Sequence, residues 1–479
     1  MCIKKILLFL ILSSNLFAFG QKSVYQEERK YSSNQLQNDF SILVSTVKDY
    51  HPAVYNYITA DSLENYITKT TVKLKDSLTD NEFHIIVREF LMQLRCGHTV
   101  AKPSQEWYSY YKSNSKLLPF EVLIIDDRIF IKESFTKNAN IYKGIEITSI
   151  DEIPVNIILD KMKSIQPRDG FSESFVNYKI QRSFRTYYLF LFGQKSSYTI
   201  AYKNEDEKIK SVTVEAESKK QPPSDIQIDD TLFTILEKTT WSNLYVANNK
   251  SDLAFLDINT FGRKNYKKYY KKVFKEIRAR NINYLVLDIR DNGGGYFLNG
   301  NYLLRYLSNK DFTFTFNRPK HKPIKQKYAE MDFFSTLTKF AFSLLPDREK
   351  NKTIRNYELR YKPKKKNRYN EVLYVFTNGG SFSMSSFVAA YLKHQTDAIL
   401  IGQETGGGED GSNAILSHIL TLPATKIRVH IPFYHLDHKM NNTLLGNGVM
   451  PNIQVKYNIE DILQKKDKEM EELLLLINK

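Results

Sequence analysis

An α/β fold is predicted for the second half of the 479-residue chain, because apolar segments of strand length alternate there with amphipathic helical segments. We expect strands at 253–258, 284–289, 372–376 and 398–401, and helices at 266–279, 298–307 and 383–394. Alternation at this spacing is typical of parallel strands joined by right-handed helical crossovers. The second of these strands is almost entirely apolar, as strands inside a parallel sheet are.

Glycines interrupt the chain after two of these strands. The first segment, YLVLDIRDNGGGYFLNG, covers residues 284–300, and the second, VLYVFTNGGSFSMSSFVAAYLK, covers residues 372–393. Ser383 stands where the second segment enters its helix, a position that exposes a hydroxyl beside the unbonded N–H groups of a first helical turn. Glycines 293–295 let another backbone segment approach closely and offer a further N–H. This arrangement suits nucleophilic attack on an acyl carbonyl, whose developing negative charge the N–H groups would stabilise.

The first twenty residues, MCIKKILLFLILSSNLFAFG, predict a secretory signal peptide. They combine two lysines, an apolar run too short to cross a bilayer with ease, and a small-x-small end at Ala18-Phe19-Gly20. We expect cleavage before Gln21 and an exported mature protein, in the periplasm or the extracellular space. An uncleaved membrane anchor is the alternative interpretation of the same segment.

The chain is basic, with 69 Lys and Arg against 53 Asp and Glu. The net charge is +16, or +14 without the two lysines of the leader. The basic residues are dispersed, with local clusters at 320–327 and 362–368. This pattern favours a solvated basic surface over a nucleic-acid site, and it leaves peripheral association with an anionic envelope surface open. Cys96 is the one cysteine after the leader, so we expect no intramolecular disulfide and a buried structural thiol.

Residues 34–112 are predicted to form a helical region. Apolar residues recur there at helical spacing in two stretches, and Thr79 with Glu82 forms a capping box at the start of the second. Gly97 suits the end of that helix. His98 is therefore expected on the loop that leaves a buried helix.

Short strand-like runs separated by turns fill residues 117–218, which predicts a small β-rich module with a helix near 157–165. Residues 219–230 are rich in proline and acids and are interpreted as a linker. Residues 240–479 then form the α/β core, interrupted by an insertion at 316–370. The insertion has an apolar, helical centre and basic flanks. These features suit a lid over a site and an additional packed segment without a functional role equally well.

Six motifs follow one another along the chain in a fixed order. They are Gly97-His98-Thr99, the turn and strand at 144–151 with Pro154, D-x-R-x-N-x-G-G at 288–295, TNGGSFSMS at 377–385, GQETGG at 402–407 and GVMPNI at 448–453. With these motifs the mature chain resembles, over nearly its whole length, the tail-specific, C-terminal-processing and tricorn-core serine peptidases. The resemblance implies a crotonase- or ClpP-like ββα core within the α/β fold, an N-terminal helical cap that carries the His98 loop, and a PDZ-like module at 117–218.

The resemblance also implies that Ser383 is a catalytic nucleophile. The backbone N–H groups of Met384 and of Gly294 or its neighbours would then form the oxyanion hole. Ser381 and Ser385 are nearby alternatives to Ser383, and their other role would be turn hydrogen bonding and helix capping.

The general base implied by the resemblance is His98. The processing-peptidase branch places a lysine base at a position that holds Gly408 here, whereas the tricorn-like branch uses a histidine at the position of His98. That second branch orients its histidine with a glutamate and a serine, at positions that hold Leu445 and Gly97 here.

The orienting group must therefore come from elsewhere. We name Glu404 for this role, with Glu409 or Asp410 as alternatives. A histidine without an orienting group can still act as a base, at a reduced rate.

These inferences predict an exported serine peptidase that cleaves peptides or unfolded proteins. The β-rich module would bind a peptide end by adding it as a strand. The nine histidines show no His-x-x-x-His or His-Glu-x-x-His spacing, so neither a metal nor another cofactor is expected. Two alternatives stay open: a peptide-binding pseudo-enzyme of the same fold, and a crotonase-like acyl-transfer enzyme, which would need a pocket for an acyl-CoA. The sequence predicts no particular oligomeric state.

Overall fold

The computed structural model describes residues 25–217, 232–320, 327–347, 351–438, 440, 443 and 445–478. The predicted signal peptide at 1–20 and the predicted linker at 219–230 lie outside these residues. Among the residues described, no helix combines the length and the apolar composition needed to cross a membrane.

The described residues contain twelve helices. They are α1 (Ser33–Tyr50), α2 (Ala60–Val72), α3 (Asp80–Met92), α4 (Gln105–Asn114), α5 (Val155–Ser164), α6 (Ser174–Phe192), α7 (Tyr266–Ala279), α8 (Phe297–Leu307), α9 (Phe333–Ser343), α10 (Met384–Gln395), α11 (Ile459–Leu463) and α12 (Lys468–Ile477). The predicted capping box is present at the start of α3, where Thr79 and Glu82 satisfy each other's backbone N–H groups.

The same part of the chain contains twenty-one strands in four sheets. They are β1 (Lys30–Tyr31), β2 (Leu78–Thr79), β3 (Val100–Lys102), β4 (Phe120–Ile125), β5 (Arg128–Ser134), β6 (Glu146–Ile150), β7 (Ile153–Pro154), β8 (Ser197–Lys203), β9 (Ile209–Glu215), β10 (Phe233–Lys238), β11 (Ser242–Ala247), β12 (Lys250–Ile258), β13 (Tyr284–Asp288), β14 (Phe312–Pro319), β15 (Ala329–Glu330), β16 (Ile354–Tyr361), β17 (Val372–Thr377), β18 (Ile399–Gly402), β19 (Gly411–Thr421), β20 (Arg428–Asp437) and β21 (Ile453–Gln454). The smallest sheet is the pair β1 and β2.

The largest sheet has seven strands, in the order β10-β11-β12-β13-β17-β18-β21. From β12 to β21 all neighbours are parallel, while β10 and β11 extend the sheet antiparallel at one edge. Helices α7, α8 and α10 cover one face, through side chains that include Tyr270, Leu303 and Phe387. Helix α12 covers the other face through Leu473 and Ile477. The predicted alternation of strands and helices is confirmed in this region, and both faces of the parallel strands are buried.

A second sheet joins the predicted insertion to the N-terminal helices. Its order is β15-β19-β20-β14-β16, and β3 pairs with β20. Helices α1 and α3 pack on β19 and β20 through a cluster that includes Phe40, Phe90, Leu420 and Val429. Because β3 follows His98 directly, its pairing with β20 fixes the loop that carries His98.

A third sheet is antiparallel, in the order β4-β5-β6-β8-β9 with β7 beside β6, and α5 and α6 pack on one face of it. Helix α6 is not among the helices that the sequence predicts. Its residues include many phenylalanines and tyrosines, which favour strands, and Ser183 interrupts it with non-helical backbone angles of −132° and 20°. Burial of one face against the sheet outweighs these local preferences.

Candidate active site

Ser383 lies at the turn between β17 and α10. Its backbone angles are φ 58° and ψ −118°, a combination that residues other than glycine rarely adopt. The turn keeps this strained conformation because the residues before it are fixed: Ser381 Oγ donates to the carbonyl oxygen of Ile289 at 2.8 Å, and Phe382 N donates to that of Asn292 at 3.0 Å. The Ser383 side chain does not cap the helix, so its hydroxyl points to other groups.

His98 approaches Ser383 from the loop between α3 and β3. Its Nε2 lies 3.0 Å from Ser383 Oγ, so a hydrogen bond joins side chains that are 285 positions apart in sequence. The loop is also held near its start, where the N–H of Gly170 donates to the carbonyl oxygen of Arg95 at 3.0 Å. The two side chains therefore meet in the relation that a nucleophile and its base require.

His98 is neutral at neutral pH. Its ring stacks on that of Phe382, with centroids 4.7 Å apart, and Phe382 stacks in turn on Phe175 at 4.0 Å. Burial lowers the pKa of His98 to about 4, and the positive charge of Lys179 acts in the same direction. A neutral imidazole can accept the hydroxyl proton of Ser383.

Gly294 and Met384 lie beside Ser383. A Cβ at position 294 would be 2.8 Å from the Cβ of Ser383 and 2.9 Å from the nitrogen of Met384, and the φ of Gly294 is 92°, so this close approach requires glycine. Met384 is the first residue of α10, and its N–H has no carbonyl partner within the helix.

The second oxyanion donor is predicted at Gly294 or its neighbours, and in this structure the N–H of Gly294 itself is already used. That N–H already donates to Asn292 Oδ1 at 2.9 Å, because the asparagine side chain folds back over its own turn. Gly293 precedes it, and nothing lies within 4 Å of the position that a Cβ would take there.

Comparison with known proteins identifies a family for the part of the chain that contains Ser383. Residues 252–455, which contain Ser383 and the glycine loop, match the sequence model of peptidase family S41. Residues 252–455 are a peptidase family S41 domain. This domain is a serine-type peptidase, which is a hydrolase.

Solved structures extend the similarity beyond this S41 domain. Mature CPAF aligns with a TM-score of 0.63 and 15% identity over 91% of this chain and 95% of that chain. Mature CPAF complexed with lactacystin aligns with a TM-score of 0.63 and 16% identity over 93% of this chain and 97% of that chain. At these identities the similarity shows a shared fold. None of the curated protein sequences matches this chain closely enough to give a relative.

Glu404 does not orient His98 in this structure, contrary to the prediction. Its Oε1 accepts from Gly448 N at 2.7 Å and its Oε2 accepts from Ser174 Oγ at 2.9 Å. Glu404 therefore joins the loop after β18 to the start of α6 and to the turn before β21. Within the described residues, the buried Nδ1 of His98 has no hydrogen-bond partner.

The two alternative acids of the S41 domain also bond other groups. Glu409 is buried and accepts from Lys393 Nζ and His394 Nε2, both at 2.9 Å. Asp410 Oδ2 accepts from the hydroxyl of Tyr57 at 3.0 Å. In the described ranges, no group of three or more His, Cys, Asp and Glu side chains is arranged to hold a metal ion.

Asp169 is an acid that the sequence does not mark and that contacts the His98 loop. Its Oδ1 accepts from Gly97 N at 2.7 Å, one residue before His98. The side chain is buried, and its Oδ2 has no partner among the residues described. Burial raises the pKa of Asp169 to about 7; the Gly97 N–H opposes the shift, and the charge of Asp410 adds to it. The Asp-Gly pair at 169–170 signals a turn, but a turn signal does not tell which loop the turn will touch.

The serines next to Ser383 have different surroundings. Ser381 is fully buried, and its hydroxyl donates to Ile289 O and accepts from Asn378 N. Ser385 is also fully buried, and no described group bonds its hydroxyl. Of the three, only Ser383 meets a histidine.

Arg290 supports the strand that leads into the glycine loop. Its guanidinium binds Asp288, the neighbouring strand residue, and reaches Asp467 and Glu469 at 3.1 Å on and beside α12. It also lies over the ring of Phe376, 5.0 Å from its centroid. The loop is thereby tied to α12, which follows the S41 domain, and to β17 within it.

Proposed function

We propose that the protein is an exported serine peptidase in which Ser383 is the nucleophile and His98 is the general base. The observation that carries this proposal is the 3.0 Å contact between His98 Nε2 and Ser383 Oγ at a strained strand-to-helix turn. The substrates are peptides or unfolded proteins, which suits the S41 domain.

In the proposed reaction, His98 Nε2 accepts and returns each proton that is transferred. The hydroxyl proton of Ser383 passes to His98 Nε2 while Oγ bonds to the carbonyl carbon, and the carbonyl oxygen becomes negative. The imidazolium then gives this proton to the amine nitrogen as the carbon–nitrogen bond breaks. Nε2 then removes a proton from a water molecule that attacks the acyl carbon, and returns that proton to Ser383 Oγ as the carbon–Oγ bond breaks and the acid product leaves.

The oxyanion would be stabilised from two sides. The N–H of Met384 is one donor, since it begins α10 and has the positive end of the helix behind it. We assign the second to Gly293, because the N–H of Gly294 is used within the loop. A donor of this kind is typically worth about 3 kcal/mol in the transition state.

Asp169 would act as a positioning residue. Its carboxylate holds the Gly97 N–H and thereby fixes the backbone from which His98 reaches Ser383. This hydrogen bond is buried, and it becomes charge-assisted, and so among the stronger polar contacts in a protein, as the pH rises above the raised pKa of Asp169 of about 7.

The remaining parts of the chain fit an assisting role. In this proposal residues 34–112 are a helical cap, 117–218 a PDZ-like module and 240–479 a crotonase-like core with the insertion. Of the two outer strands of the module, β4 already uses part of its edge, since Ile124 N donates to Gln181 Oε1 at 3.0 Å. The edge of β9 is therefore the one that we expect to receive a peptide strand.

Export is proposed from the first twenty residues alone. Sequencing the N-terminus of protein purified from its native host should give Gln21 in a periplasmic or extracellular fraction. An intact Met1 in the cytosol would refute export and leave the catalytic assignment untouched.

The catalytic assignment is tested with a fluorophosphonate probe, which labels activated serines. The unsubstituted protein should be labelled and should hydrolyse unfolded protein substrates, and Ser383→Ala should lose both properties with an unchanged thermal unfolding curve. Ser385→Ala, a buried serine two residues away, is the matched control and should keep both.

One observation favours a second candidate, a peptide-binding protein of the same fold with little or no catalysis. It is the unpartnered Nδ1 of His98, since a base without an orienting acid is weaker. Peptide binding by a protein that the probe does not label would support this candidate and refute the first.

A further inference from the structure

Helix α9 presents a stripe of apolar side chains to solvent. Phe333, Leu337, Phe340 and Leu344 follow one another at intervals of four, three and four residues, so they lie on one face. Their exposed fractions are 71%, 49%, 64% and 72%, and that of the adjacent Phe334 is 75%. Single exposed apolar residues are common, whereas a continuous patch of them marks a contact surface.

Helix α9 is held at both ends and by one buried side chain. At its start Asp332 accepts a backbone N–H of the first turn at 3.0 Å, and at its end Arg355 donates to the carbonyl oxygens of Ser343 and Leu345 at 2.8 and 3.0 Å. Phe342 is buried, and its ring packs against three other aromatic rings of the core. The exposed stripe is therefore a second apolar face on an element that is already anchored.

The segment of the chain that contains this stripe is strongly basic in sequence. Residues 316–370 contain 16 Lys and Arg against 5 Asp and Glu, so they contribute +11 to the chain's net charge of +16. Lys264, from another part of the chain, lies over the ring of Phe334 at 5.9 Å. Two of the five acids are occupied: Asp332 caps the helix, and Asp347 pairs with Lys320 at 2.7 Å.

We propose that α9 is an interfacial helix that docks the protein onto a membrane surface carrying anionic lipid headgroups. Phenylalanine and leucine side chains would enter the boundary between headgroups and acyl chains, and the lysines and arginines of the same segment would meet the anionic headgroups. Such a surface offers the apolar and the anionic contacts together.

The positive charge of residues 316–370 argues against a second copy of this chain as the partner that covers the stripe. A symmetric contact through α9 would bring two regions of net charge +11 together, and like charges at an interface repel. A peptide substrate could bind the apolar face, but binding of a peptide would not explain the excess of positive charge in residues 316–370.

The test is flotation with lipid vesicles, using the chain from Gln21 so that the apolar leader does not bind lipid itself. The hydrophobic clusters of the described residues begin at Tyr25, so this chain keeps all of them. We expect binding to vesicles of phosphatidylglycerol and phosphatidylcholine, weaker binding to phosphatidylcholine alone, and a decrease with added salt.

Two substitutions on the stripe, Phe340→Ser and Leu344→Ser, should each weaken vesicle binding about tenfold, because each removes one large apolar side chain from the lipid contact. Both residues are exposed, so thermal unfolding should change little. Ile209→Ser is the matched control, since Ile209 is 67% exposed on β9 and lies outside the basic region; it should bind vesicles like the unsubstituted chain.

Three results would overturn the proposal. The first is vesicle binding that is equal for the stripe variants and the unsubstituted chain, or equal on neutral and anionic vesicles. The second is loss of hydrolysis of a short soluble peptide in the stripe variants, which would assign the stripe to substrate. The third is a dimer in solution, seen by light scattering, that the stripe substitutions dissociate.

Discussion

His98→Ala is the substitution that most directly separates a catalytic role of His98 from a packing role. It removes the 3.0 Å contact of Nε2 with Ser383 Oγ and the stacking of the imidazole on Phe382. If His98 is the base, turnover per folded molecule falls while stability changes little. If His98 only packs, turnover per folded molecule stays the same.

The size of both effects follows from the surroundings of the ring. A positioned acid or base contributes about 10²–10⁴-fold to a rate. His98 has a pKa lowered to about 4 and no described partner at Nδ1, and both features weaken it as a base, so we expect a loss of about 10²–10³-fold in kcat. For stability, the lost aromatic contact costs about 0.5–1.5 kcal/mol. Removing an unsatisfied buried nitrogen returns about 1–3 kcal/mol, so the melting temperature should stay within a few degrees.

The assay measures initial rates on a labelled unfolded protein together with the melting temperature of each variant. His418→Ala is the control, because burial also lowers the pKa of His418 to about 4, but His418 lies on β19 and its ring contacts Tyr50 and Phe433. Imidazole added to His98→Ala should restore part of the rate, since it can enter the space that the side chain leaves. A variant that keeps more than a tenth of the original kcat, or equal losses for the two variants, would refute the assignment of His98 as the base.

Two further predictions concern the same loop. The first is that kcat/KM rises with pH around a midpoint near 4, because burial lowers the pKa of His98 to about 4 and only the neutral ring accepts a proton; a midpoint at 6.5 or above, the range of a free imidazole, would contradict it. The second is that Asp169→Ala lowers kcat by more than tenfold with little change in KM, whereas Asp169→Asn, which still offers an oxygen to the Gly97 N–H, keeps most of the rate. Equal effects of the two substitutions, in kinetics and in pH profile, would show that the contact with Gly97 does not act on His98.

The parts of the fold that local pattern predicts are those with strong helical or strand periodicity. The helix expected at 266–279 has the bounds of α7, and the strand expected at 284–289 is β13 to within one residue. Strands β19 and β20 are not predicted, although they are the longest pair in the second sheet. One of their partners is β14, which pairs Thr315 with Asp437, and contacts over such distances leave no trace in a short sequence window.

In the candidate site, too, the sequence predicts the residues that stand in short motifs and does not predict those brought in by distant loops. The motifs identify Ser383 and His98 because each stands in a short, recognisable segment, and the structure places their side chains in contact. The choice of Glu404 rests on closeness in sequence to a motif, and its carboxylate is used elsewhere. Asp169 lies in a loop between α5 and α6, and only the folded chain shows that this loop meets the residue before His98.

Gly97 and Phe382 explain how His98 is oriented without an acid at Nδ1. A Cβ at position 97 would lie 2.6 Å from Phe382 Cζ, so a serine there would displace the ring that stacks on His98. The stack sets the plane of the imidazole, and the contact with Ser383 sets its rotation. Neither sets the tautomer: for Nε2 to accept the hydroxyl proton, Nδ1 must carry a hydrogen, and no described residue accepts it. The site is therefore arranged for attack by Ser383, while the imidazolium that forms during attack gains no stabilisation from an adjacent carboxylate. We therefore expect the proposed peptidase to be slow, because neither the tautomer that His98 needs nor the imidazolium that it forms is stabilised by a carboxylate.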